Sequence, residues 1–81
     1  MSVTYYMALA FAITDGAIVP RDARDCHHEL AAVLMAETLS RTAPNVGAVA
    51  FRRTGDPFSG QFGDPEILKS FGEVPSNLDD F

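Results

Sequence analysis

The stretch from Thr4 to Ile13 constrains the fold more than any other part of this chain. Large residues at Tyr5, Met7, Leu9, Phe11 and Ile13 alternate there with the small Ala8, Ala10 and Ala12. A period of two sends successive side chains to opposite faces, so the segment predicts a β-strand. Asp15-Gly16 follows, and glycine accepts the positive φ of a tight hairpin turn without steric cost, which brings Ala17 to Ala23 back antiparallel. Pro20 has no amide donor, so this second strand belongs at an edge.

From Cys26 to about Thr42 the chain is rich in Ala, Leu, Glu and Met and contains neither Gly nor Pro, which predicts a helix with Asp25 as its N-cap. At 100° per residue His27, Ala31, Leu34, Met35, Thr38 and Leu39 share one arc, and Glu29, Glu37, Ser40 and Arg41 lie opposite. Pro44 stops the helix, because proline cannot extend the hydrogen-bond ladder and disfavours helix in the residue before it. Val46 to Arg53 alternates again and predicts a third strand. Thr54 to Pro65 carries Gly-Asp-Pro twice and reads as a long hairpin connection, with Gln61 and Phe62 as candidates for pairing within it. Glu66 to Gly72 supplies a last strand with Ile67 and Phe71 on one face.

The order is therefore ββαββ, an α+β domain. The helix must connect the second and third strands as a right-handed crossover, which is satisfied when the third strand lies beside the first. The expected sheet is four-stranded, wholly antiparallel and ordered 2-1-3-4, with one helix on one face. Residues 1–75 form the expected single domain, and 76–81 read as a polar acidic C-terminal tail.

One helix covers one face of a sheet, and Leu9, Phe11, Val49 and Phe51 are the expected partners for it. The reverse face would then be Tyr6, Ala8, Ala10, Ala12, Ala48, Ala50 and Arg52. Alanine is unfavourable on a solvated sheet, which would normally carry Thr, Lys or Glu. That face is accordingly the expected interaction surface, for a second copy, another protein or the returning tail with Phe81.

Composition narrows the function classes. Six Lys and Arg against eleven Asp and Glu give a net charge of -5, which repels nucleic acid and anionic lipid at long range, so neither is an expected partner. A chain of 81 residues has a small core, which makes self-association worth expecting. The single cysteine, Cys26, excludes an internal disulfide and points to a reducing compartment. Met1 to Met7 shows no signal-peptide pattern and Thr4 to Ile13 is too short to span a bilayer, so the expected location is the cytoplasm.

Candidate chemistry is sparse. Cys26, His27 and His28 are the one run of metal-capable types, but adjacent helical residues point about 100° apart and would not converge on an ion. Cys26 near a helix N-terminus would suit a thiolate nucleophile, yet no oxyanion donor or orienting third residue accompanies it. Gly55 to Asp64 has the glycines and acids of an ion or phosphate loop without the order of either, and hairpin chemistry explains it. Arg52-Arg53, with Arg21 and Arg24, offers cations for an anion, although charge at strand ends is the commoner meaning. No catalytic residue, cofactor or metal is assigned. The leading expectation is a non-enzymatic interaction module; the alternative is a metal- or small-ligand-binding protein using Cys26, His27 and His28 or the Gly55–Asp64 loop.

Thr4-Tyr5-Tyr6, Gly47-Ala48-Val49-Ala50-Phe51 with Gly55-Asp56-Pro57, and Lys69-Ser70-Phe71-Gly72-Glu73-Val74-Pro75 resemble a group of short proteobacterial proteins of no assigned function. The likeness spans most of the chain and implies no activity. The Tyr-rich first strand, the Asp15-Gly16 turn and the following helix also resemble small antitoxin domains of the HicB type, over the first half only and at the level of fold.

Overall fold

The structure, a computed structural model, describes residues 1–75. The expected tail 76–81, with Phe81, lies outside the described residues. Strands β1 (Val3–Thr14) and β2 (Ala17–Cys26) lead into helix α1 (Glu29–Ser40), followed by β3 (Asn45–Asp56), β4 (Gln61–Phe62) and β5 (Glu66–Gly72). The sheet runs β2-β1-β3-β4, with β5 also paired to β3, and every pairing is antiparallel. The α+β class and the 2-1-3-4 order are as expected. The outer position is shared, with β4 against Gly55 and Asp56 and β5 against Gly47 to Arg52.

The β1–β2 hairpin turns at Asp15 and Gly16, both at positive φ, as a tight antiparallel reversal requires. At the far end Gly47 and Gly72 lie opposite each other in the β3–β5 ladder. A Cβ on Gly47 would collide with the Glu73 backbone, whose amide donates to the Val46 carbonyl at 2.9 Å. Only glycine lets the chain leaving β5 cross β3 so closely.

Two element boundaries differ from expectation. β2 continues past Ala23 to Cys26, which pairs with Tyr6, so the Asp25-Cys26 segment is strand and not a helix start. The ladder to β1 satisfies backbone groups that a helix would otherwise have to satisfy, and it outweighs local propensity. The helix begins at Glu29 with His28 as N-cap in place of Asp25; the His28 Nδ1 accepts from the Ala31 amide at 3.2 Å.

The two sheet faces are assigned the other way round from the expectation. Ala8, Ala10, Ala48 and Ala50 are fully buried and pack against Ala32, Ala36 and Leu39 of α1, with Tyr6, Cys26, Val33, Met35, Leu68 and Phe71 around them. Leu34 is 54% exposed, so α1 is rotated away from the expected arc. Small residues on helix and sheet let the helix lie close to the strands, and close approach makes alanine suitable where a solvated face would not. Phe11, Val49 and Phe51 form a second cluster on the opposite face, joined by Met7, Leu9, Ile18 and Val74. The ladders shift register beside Phe11 and beside Phe51. Such bulges bend and twist the strands at these bulky residues.

Candidate functional site

The expected interaction face is the helix-covered core. Tyr6, Ala8, Ala10, Ala48 and Ala50 lie under or beside α1, and Ala12 is buried. Arg52 also faces the helix side, where its Nη1 stands 3.7 Å from Glu29. Its Nε and Nη2 form a two-pronged pair with Glu66, both contacts at 2.9 Å. Glu66 is the main cause that raises the Arg52 pKa above its ordinary value. Ala8, Ala10, Ala48 and Ala50 are thus unavailable as a docking surface, because the helix already occupies them.

Cys26, His27 and His28 are separated by role. The Cys26 thiol ends β2 and donates to the Arg24 carbonyl at 3.8 Å, while His28 caps α1. Burial first, then the neighbouring Asp25 carboxylate, pushes the Cys26 thiol above its ordinary pKa. A nucleophilic cysteine needs the opposite shift. Among the described residues no group of three or more His, Cys, Asp or Glu side chains is arranged to hold a metal ion. Nor is any described helix long and apolar enough to cross a membrane.

The Gly55–Asp64 segment performs hairpin work. The Phe58 amide donates to Asp56 Oδ1 and the Gly60 amide to the Asp56 carbonyl, both at 2.9 Å, and Gly60 takes a positive φ. This Asx-type turn is closed by the Gly63 amide, which donates to the Thr54 carbonyl at 2.9 Å. β4 then pairs Phe62 with Gly55. A Cβ on Gly55 would occupy the space of the Phe62 ring, so glycine there lets the ring fold across β3.

That fold-over builds a recess that sequence reasoning missed. Tyr5, Met7, Arg53 and Phe62 line an open groove of about 280 Å³ on the helix-free face. Tyr5 and Arg53 are register partners across β1 and β3. The Tyr5 and Phe62 rings are 5.9 Å apart and tilted by 48°. The Arg53 guanidinium lies 5.6 Å from the Phe62 centroid, within cation–π range, and its Nε donates to the Gly63 carbonyl at 2.8 Å. Parity in β1 already placed Tyr5 and Met7 together; the Gly55–Phe62 pairing that completes the groove depends on a two-residue strand inside a loop.

Comparison with protein-family models, with curated proteins and with solved structures returned no match. The groove and its surroundings must therefore be interpreted from their own chemistry. Its lining combines aromatic and thioether surface with one cation. Such a lining suits binding.

Proposed function

We propose that this chain is a non-enzymatic interaction module that associates with a second copy of itself through the Tyr5 end of the helix-free sheet face. The observation that supports this reading is the apolar surface collected there. Tyr5 is 38% and Phe62 40% exposed around the groove, and Val3 and Ile67 are exposed on the flanking strands. Val3 and Phe62 both pair with Gly55, so the exposed residues form one neighbourhood and are not scattered singly. Contiguous exposed apolar surface rimmed by charge is the usual mark of an association site.

The domain is a thin two-layer slab, with principal extents of 40 × 24 × 16 Å. A protein partner also fits the net charge of -5 better than nucleic acid does. The lone Cys26 suits the reducing cytoplasm in which such a module would work.

Light scattering coupled to size-exclusion chromatography tests the proposal. A mass of twice the 8.7 kDa chain is expected, reverting to the single mass in Tyr5→Arg. A wild-type protein that stays at the single mass at high concentration refutes it.

A further inference from the structure

The most exposed large side chain near the groove is Phe58, 93% accessible at the tip of the turn between β3 and β4. A phenyl ring in that position is costly to hydrate, and the turn that carries it is held in place. Asp56 accepts from the Phe58 and Gly60 amides, and its carboxylate lies 3.6 Å from the N-terminal ammonium. An aromatic presented on a fixed turn loses little backbone freedom on binding, which is the character of an interface anchor.

The recess that such an anchor needs lies on the same chain. The groove of about 280 Å³ exceeds the volume of about 150 Å³ known to admit a benzene ring, and its walls are two aromatic rings, a thioether and a guanidinium. Phe58 and Phe62 are four residues apart, so knob and recess sit at one end of the sheet. Phe58 does not fill its own recess, since it is almost wholly exposed. A twofold axis passing beside this end satisfies both at once, because in an isologous contact whatever one copy inserts it also receives.

Charge points the same way. Arg24, Arg41 and Arg52 each have a carboxylate partner, in Asp22, Glu37 and Glu66. Arg53 has none among the described residues, and it stands in the groove. The segment bearing Phe58 is acidic, with Asp56 before it and the exposed Asp64 after it. Bringing that segment over the groove of a second copy sets acidic side chains beside Arg53, which has no carboxylate partner among the described residues.

We infer that Phe58 of each copy enters the Tyr5–Met7–Arg53–Phe62 groove of the other, so that the hairpin tip is the anchor of a reciprocal homodimer. This rests on the self-association proposed above and specifies its contact. The test uses the full chain in three forms: wild type, Phe58→Ala and Tyr5→Arg, each followed by light scattering over a concentration series. Phe58→Ala leaves the core untouched, so at a dilution where both are monomeric its melting temperature should match that of wild type, while its dimer dissociation constant rises at least about tenfold over wild type. Introducing p-benzoyl-phenylalanine at position 58 should give, on irradiation, a covalent dimer whose crosslink maps to Met7 or Tyr5. A wild-type dimer whose affinity Phe58→Ala does not change, but which Tyr5→Arg dissociates, overturns the insertion while sparing self-association. A wild-type monomer overturns both.

Discussion

Arg52 and Arg53 are adjacent and alike in sequence, yet the strand sends them to opposite faces with different consequences. Arg52 is engaged by Glu66 and Glu29 on the helix side, where it ties β5 and the start of α1 to β3. Arg53 lies over Phe62 with a carbonyl as its hydrogen-bond partner. If Arg53 meets carboxylates across an interface, added salt should weaken self-association, and Arg53→Gln should lower both the affinity and its salt dependence in sedimentation measurements. Cys26 behaves in the opposite sense to an activated thiol. Because burial raises its pKa, native Cys26 should react with iodoacetamide at neutral pH several-fold more slowly than the same cysteine in the urea-unfolded chain. The raised value also has a stability consequence. The contribution of the neutral thiol is fully present below the unfolded pKa and is lost as pH rises through the higher folded one, so the loss is confined to the alkaline side.

At the scale of elements, α1 shows how much of this fold alternation can reveal. Period two in β1 and β3 separated an alanine face from a bulky face, and the crossover argument fixed the strand order. Neither says which face the helix covers, since both readings preserve the same parity. Close packing decides it, because Ala32 and Ala36 can approach Ala8, Ala10, Ala48 and Ala50 as larger pairs cannot. The helix start was hidden for a different reason. Asp25-Cys26-His27-His28 has no strand signature, and pairing of Cys26 with Tyr6 depends on β1, far away in sequence. The groove was hidden likewise, since Phe62 reaches Tyr5 only because Gly55 leaves room for its ring. Two substitutions check the helix orientation. Ala36→Leu should cost about 1–3 kcal/mol in urea unfolding, from overpacking against the sheet. Leu34→Ala, on the exposed side, should change stability by less than about 0.5 kcal/mol. The reverse ranking would restore the other rotation of α1. Gly47→Ala should also cost about 1–3 kcal/mol in the same assay, because the new methyl meets the Glu73 backbone and has no flexible neighbour to displace.

At the scale of the whole molecule, one helix and one sheet make a domain with a complete alanine-rich layer beneath α1 and a second apolar cluster on the far side. The far side holds Phe11, Val49 and Phe51 buried at its centre, and leaves apolar side chains accessible at both ends, Val3, Tyr5 and Phe62 toward one and Ile13 beside the β1–β2 turn at the other. A small domain gains little from leaving aromatic rings in water, and a second copy offers matching surface at no further cost in sequence. The most direct measurement is an isotope-filtered NOE experiment on a mixture of labelled and unlabelled chains, which records contacts between copies alone. Intermolecular NOEs should connect Phe58 with Tyr5, Met7 and Phe62. Intermolecular contacts confined to Leu30 and Leu34 on the outer side of α1, or none at a concentration well above the dissociation constant of a functional dimer, would contradict it.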